Sequence, residues 1–308
     1  MSLLVTGSIG IDTVETPAGK RDNVLGGSAV YFSYASSFFT PVRLVGVVGE
    51  DVPAGFLKPL EGRPIDTTGL EVRAGSKTFR WHGSYVKDLN EAQTVEVDLN
   101  VLAERAPKLP AAFLDSRFVF LANTHPALQL EMLKNLKDVK LAVADTMNLW
   151  IDIERPALLN LLKHIHGLVL NDGEAKMLTG KKNLVEAAHQ VLAYGEGGLK
   201  FVVIKKGEHG SLLCYGKPGG LTELFTLPAF PTSAVVDPTG AGDSFAGGMM
   251  GYLATQGNFS ATTLKRALAF GTVVASFTIA DFTLDGLSRA TRESIDGRYE
   301  ALKAATAF

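Results

Sequence analysis

Val235–Gly248 reads VVDPTGAGDSFAGG. The run opens on a β-like pair, turns through Pro238 and two glycines, and enters a helix. Gly240 and Gly242 permit backbone angles that other residues resist, and they leave no side chain between their amides and a ligand. The N–H groups of a first helical turn lack intrahelical partners and point outward with the positive end of the dipole. Such a turn suits a phosphate whose charge is growing. Asp243, at the helix start, has two readings. One is an N-cap; the other is a carboxylate beside an anion site that accepts the proton of an attacking alcohol. A helix N-terminus favours the ionised form, hence a weak base that collects its proton late, as phosphoryl transfer through a loose transition state allows. The glycine spacing leaves both readings open.

Upstream, short apolar runs recur at Leu3–Thr6, Arg43–Val48, Arg117–Leu121, Lys140–Ala144, Gly167–Leu170 and Phe201–Ile204. Each is apolar on successive residues, as in strands covered on both faces. Amphipathic stretches at Pro126–Leu136, Pro156–His164 and Leu184–Tyr194 lie between them, two opening on a proline that a first helical turn tolerates. The alternation predicts a mostly parallel central sheet flanked by helices on both faces. Downstream, Asp243–Thr255, Ala261–Ala280 and Arg292–Ala305 carry apolar positions three and four apart, and the first two should pack as neighbours. Two segments break the rhythm, at about 12–25 and 70–99. The first is polar; the second contains TFRWHGSY and TVEVDL, which alternate like solvent-facing strands. Together they predict a small β lid on the main body, with a plain edge extension as the other reading.

The chain has 308 residues, 46% of them hydrophobic, and a formal net charge of −2 with no basic run, so nucleic acid is not an expected partner. Cys214 is the only cysteine; it reads as a small core residue, and a reducing cytoplasm fits best. MSLLVTGSIGID lacks the features of a signal peptide. No apolar stretch reaches the roughly 18 residues that span a bilayer, so a soluble protein away from membranes is expected. There is no GxxxxGK[ST] loop, and Gly7-Ser8-Ile9-Gly10 is not a dinucleotide fingerprint.

Three features occur together in order: TGAGDSFAGG, the early Gly26-Gly27 pair, and Asn171-Asp172-Gly173-Glu174 after a strand. With them the chain resembles the ribokinase-like (PfkB) carbohydrate kinases over nearly its whole length. The resemblance implies a single domain, 1–308, with the ribokinase-like three-layer α/β fold and a small β lid. It implies transfer of the γ-phosphate of ATP to a hydroxymethyl group of a small sugar or sugar-like substrate. Asp243 would be the catalytic base, and Gly240, Ala241 and Gly242 would supply the anion hole, with Thr239 at its edge. Asn171 and Glu174 match the NxxE element, which organises Mg²⁺ and phosphate largely through water. Lys205, Gly207 and Gly210 look like the nucleotide-phosphate turn, where Lys205 either meets a phosphate or is an exposed strand-end lysine. Gly271 borders the adenine pocket or serves helix packing. Asp12 matches the aspartate that accepts from sugar hydroxyls, and Gly26 and Gly27 allow close approach of the backbone to substrate.

One position departs from the family. Ribokinases carry asparagine four residues after the second glycine of the pair; here Tyr31 stands there, and a plain ribose substrate is placed in doubt. Phe79, Trp81 and Tyr85 share one parity in the lid, with Gly83 between them. Such a face would stack on a base or sugar, or bury a homodimer contact between lids. The loop at Asp237 is where a monovalent cation such as K⁺ would bind. The alternatives are a nucleoside kinase of the same family and a ligand sensor without catalysis; the missing fingerprint disfavours a nicotinamide oxidoreductase.

Overall fold

Burial on both faces explains the central strands. In a computed structural model, which describes residues 2–216 and 221–307, the strands are β1 Leu3–Thr6, β2 Gly10–Thr16, β3 Gly19–Gly26, β4 Val42–Gly49, β5 Ile65–Arg73, β6 Phe79–Ser84, β7 Gln93–Asp98, β8 Phe118–Leu121, β9 Leu141–Asp145, β10 Gly167–Asn171, β11 Phe201–Lys205, β12 Ser211–Gly216 and β13 Thr222–Leu227. The helices are α1 Ser28–Ser36, α2 Pro126–Lys134, α3 Asn148–Ile153, α4 Arg155–Leu162, α5 Asp172–Thr179, α6 Leu184–Tyr194, α7 Ala241–Gln256, α8 Ala261–Thr278, α9 Asp285–Ser288 and α10 Arg292–Ala305.

The large sheet runs β13-β12-β11-β10-β9-β8-β1-β4-β5. All its pairings from β11 through to β5 are parallel, and β12 and β13 add an antiparallel edge. Side chains alternate between two cores. Leu3, Val5 and Phe120 pack with α1, α7 and α8 on one face. Leu4, Leu121 and Ile204 pack with α2, α4, α5 and α6 on the other. Each such buried side chain contributes roughly 1.5–3 kcal/mol, so the three layers follow from the apolar runs. Cys214 is buried in β12, and burial pushes its thiol up to about 11, which leaves no thiolate near neutrality. Among the described residues no helix is long and apolar enough to cross a membrane.

The second sheet has the order β3-β2-β6-β7. Residues 70–73 do not belong to it. They complete β5 in the large sheet, where Leu70 pairs with Gly46 and Val72 with Val48. An edge strand with one open face alternates as a lid strand does, so the sequence pattern placed the start too early.

The chain leaves β1 for β4 on one side, while β8 lies on the other. In open α/β sheets such a switch point opens a crevice beyond the carboxyl ends of the strands, where ligands bind. The loop after β1 and the start of α1 are pinned there by reciprocal bonds: Ser8 N–H donates to Ser28 Oγ (3.2 Å) and Ser28 N–H to Ser8 Oγ (2.9 Å).

Candidate active site

The site is assembled around the start of α7. Gly240 is its N-cap, at φ 73° and without a side-chain cap. Asp243 is therefore the third helical residue and does not cap the helix. The amides of Gly242 and Asp243 lie where no intrahelical acceptor exists. A methyl group on Gly240 would overlap the ring of the buried Tyr31, and one on Gly242 would fall 2.7 Å from Lys205 Nζ. Close approach of a packed ring thus requires glycine at 240, whereas at 242 the flexible end of Lys205 can move aside.

Three parallel strands end in polar residues beside this turn: β9 in Asp145, β10 in Asn171 and β11 in Lys205. Asn171 caps α5 and forms a capping box with Glu174. Its Oδ1 accepts the Glu174 N–H (2.7 Å), and its own N–H donates to Glu174 Oε2 (2.6 Å). Glu174 is buried, which raises its pKa, and Lys205 works against that rise. Burial also pushes Asp243 up to about 6, again opposed by Lys205. Desolvation thus outweighs the helix dipole in the direction of the shift, and the carboxylate still ionises near neutrality. Asp145, buried and close to Asp243, Lys205 and Glu174, is raised well above the usual carboxylate range, mainly by desolvation.

Across the crevice, β2 brings in Asp12, which is 4% exposed. Its carboxylate packs so closely on Gly26 that any Cβ there would overlap it. Gly27, at φ 101°, starts α1 with its Cα against the Ser8 carbonyl. Burial pushes Asp12 up to about 8, the Gly27 amide opposes this, and the carboxylates of Asp243 and Asp237 add to it. A carboxyl with a folded-state pKa above its unfolded value binds protons more tightly when folded. It stabilises the fold below about pH 4, and this contribution is lost as pH rises through about 8. Asp12→Asn is therefore expected to raise stability at pH 8 on the order of 2–4 kcal/mol, with no gain below pH 4. Thermal melts of the two proteins from pH 4 to 8 check this.

Tyr31 and Tyr85 frame the crevice. Tyr31, in α1, is 2% exposed, and its hydroxyl's pKa is raised well above the usual value by burial. Tyr85 follows β6, so the lid places it, buried, near Thr239, Asp237, Asp243 and Asp12. Asp237 is fully buried and accepts the N–H groups of Thr239 (2.8 Å) and Thr283 (2.9 Å). Trp81 pairs with Asp12 in the β2–β6 ladder and so lies on the same lid face, its ring resting across Gly83. His82 instead pairs with Glu15 (3.1 Å).

Three other expected glycines also have packing roles in the fold. Gly271 is buried inside the α7–α8 contact, where a Cβ would sit 2.6 Å from the Phe245 carbonyl oxygen, so helix packing explains it. Gly210, at φ 79°, lies against the Leu227 carbonyl, and Gly207, at φ 53°, against Asn90 of the lid. Sequence reasoning passed over Asp145; the one available signal was a carboxylate closing the apolar run LAVAD.

The residues fit a bound nucleotide with Mg²⁺. Asp12 Oδ1, Asp145 Oδ1 and Thr239 Oγ1 are buried without hydrogen-bond partners. The glycine turn is an open cradle beside the Lys205 ammonium. Among the described residues no three His, Cys, Asp or Glu side chains gather to hold a metal by themselves.

An anion cradle at a helix start, a buried carboxylate in its first turn and a crevice beneath the small sheet suit phosphoryl transfer to a bound hydroxyl. The pfkB family carbohydrate kinase model matches residues 6–285, and the chain belongs to that family. A cytidine kinase of Thermococcus kodakarensis is 30% identical over 253 residues, covering 81% of this chain and 87% of that protein. The fold is shared with Burkholderia thailandensis nucleoside kinase in complex with inosine (TM-score 0.76, 20% identity, 98% of this chain and 99% of that one). Thermotoga maritima ribokinase also shares it (TM-score 0.75, 20% identity, 97% and 99%).

Proposed function

We propose that the chain phosphorylates the hydroxymethyl group of a nucleoside, with ATP as donor, and that residues 1–308 act as one kinase domain. The observation that carries the reaction is the placement of Asp243 in the first turn of α7, facing Asp12 across the crevice. Asp12 would accept from the acceptor's vicinal hydroxyls and orient it. Asp243 would take the proton of the attacking primary hydroxyl, and the amides of Gly240 and Gly242 with Lys205 would hold the transferring phosphoryl oxygens; the Ala241 N–H donates instead to the Pro238 carbonyl (3.1 Å). Mg²⁺, when bound, screens the phosphate charge, with Glu174 and Asn171 positioned to steer its waters.

For the acceptor, a nucleoside is favoured over a free sugar. Trp81 shares a lid face with Asp12 and offers a ring to a base. Tyr31 lies packed under Gly240, where ribokinases place a hydrogen-bonding asparagine. The cytidine kinase relative supports the same reading. The buried Asp237 supports a monovalent cation nearby. Exposed Val95 and Val97 on edge strand β7 support pairing of two lids in a homodimer. ATP as donor and a single buried thiol support a cytoplasmic place of work.

The test is ATP turnover with cytidine, inosine, adenosine, ribose and fructose. Stacking of one base is worth about 1–3 kcal/mol, so kcat/KM for the best nucleoside should exceed that for ribose by roughly 10–100-fold. Ribose turning over as well as any nucleoside would reverse the assignment to the sugar kinase reading, and absence of transfer to every acceptor would overturn both.

A further inference from the structure

The loop between β6 and β7 leaves the lid and ends on the turn after β11. Asn90 Oδ1 accepts the N–H of Glu208 (3.2 Å), and Asn90 Nδ2 donates to Glu208 Oε1 (3.4 Å). The loop is shaped for this contact by the bond from Asn90 N–H to Asp88 Oδ1 (2.8 Å). A side chain on Gly207 would overlap Asn90 Oδ1, so that glycine is the seat on which Asn90 rests. At its other end the same loop carries Tyr85, whose N–H donates to the Glu15 carbonyl (2.7 Å) and whose ring lies near Thr239 and Asp243. One short segment therefore touches both the anion turn and the Lys205–Gly210 turn.

We propose that Asn90 is a positioning residue that ties closure of the lid over the acceptor to occupation of the Lys205–Gly210 turn by nucleotide phosphate. The inference rests on the assignment of that turn to nucleotide. A phosphate that orders the turn fixes the Glu208 N–H where Asn90 needs it, and a docked lid in turn orders the turn. Coupling of this kind is reciprocal, so each substrate tightens the other by the same factor. Asn90 is exposed, and its contacts are two neutral or singly charged hydrogen bonds in water. Their small net worth suits a contact that opens in every cycle, and it sets the expected coupling at about 3–10-fold.

The acceptor Kd is measured by calorimetry with and without Mg²⁺ and a non-hydrolysable ATP analogue, in the wild type, Asn90→Ala, and Asn90→Asp combined with Glu208→Gln. The double variant keeps an acceptor oxygen for the backbone N–H and a side-chain pair of reversed polarity. The analogue should tighten acceptor binding about 3–10-fold in the wild type and in the double variant. In Asn90→Ala the ratio should fall to about one with the nucleotide-free Kd unchanged. A merely structural role would weaken both Kd values equally and leave the ratio intact, which would overturn the proposal. Hydrogen exchange of residues 86–92 gives a readout independent of any acceptor or turnover. The Mg²⁺–analogue pair alone should slow exchange there in the wild type and not in Asn90→Ala; equal protection in both would also overturn it. This second readout can succeed where phosphoryl transfer fails, so the two proposals stand or fall separately.

Discussion

Asp243→Asn should lower kcat by roughly 10²–10⁴-fold, the usual contribution of a positioned general base, while nucleotide and acceptor affinities change by no more than a few-fold. Asparagine keeps the shape and a hydrogen bond to the attacking hydroxyl but cannot take its proton. The loss cannot be charged to unfolding. Burial raises the Asp243 pKa to about 6, so the ionised carboxylate opposes folding at neutral pH and the neutral amide does not. The sign also fixes the pH profile. The base must be ionised, so the Asp243 limb of wild-type kcat/KM should fall tenfold per pH unit below about 6. That limb should be missing from the residual activity of the variant. Steady-state kinetics from pH 5 to 8 measure both effects. A variant within about tenfold of wild type would remove Asp243 from the base role.

Gly240→Ala should damage both the fold and the rate. Gly240 holds φ 73° as the N-cap of α7, and an L side chain in that region costs roughly 1–2 kcal/mol. The added methyl also lands on the ring of Tyr31, and overpacking of a close contact costs about 1–3 kcal/mol more. Together the melting temperature should drop by roughly 3–8 °C. Because any relief shifts the amides of the anion turn, kcat should fall about 10²-fold even in the folded variant. Gly240→Asn separates the two causes. Asparagine tolerates the left-handed region but carries the same Cβ, so a contact-dominated site should show no rescue. Recovery of both stability and rate in the Asn variant would mean that backbone strain alone was responsible.

Much of the sheet was legible because its strands are buried on both faces. Runs such as LLVT and FVVIK carry no alternation to confuse with a helix, and their boundaries match β1 and β11 to within a residue. Helix α1 was silent for the opposite reason. All nine of its residues are buried, so it has no polar face and no period to detect. The short α5 was marked by its capping residues Asn171 and Glu174, which were singled out for a functional motif and turn out also to build the helix start.

The site was legible where chemistry is local in sequence. The glycine turn and Asp243 are contiguous, and Asp12 and Gly26 sit at the two ends of one hairpin. What depends on the third dimension was hidden. The protonation of Asp243 is set by desolvation, which no residue pattern records. Asp145 has no neighbour in sequence that marks it, and it acquires meaning only because β9 ends beside β10, with β11 next in the sheet. Gly207 and Gly210 read as a phosphate turn, and no residue pattern showed that their α-carbons also face Asn90 and the Leu227 carbonyl. The contact between Asn90 and Glu208 joins residues 118 positions apart.

The central claim is phosphoryl transfer to a primary hydroxyl held between Asp12 and Asp243. The most direct measurement is ³¹P NMR of the wild-type protein incubated with ATP, Mg²⁺ and the preferred acceptor from the turnover panel. The account predicts loss of the γ-phosphate signal with equal growth of ADP and of one phosphomonoester whose phosphorus couples to two methylene protons. Growth of inorganic phosphate in place of the ester, or an ester coupled to a single ring proton, would contradict it.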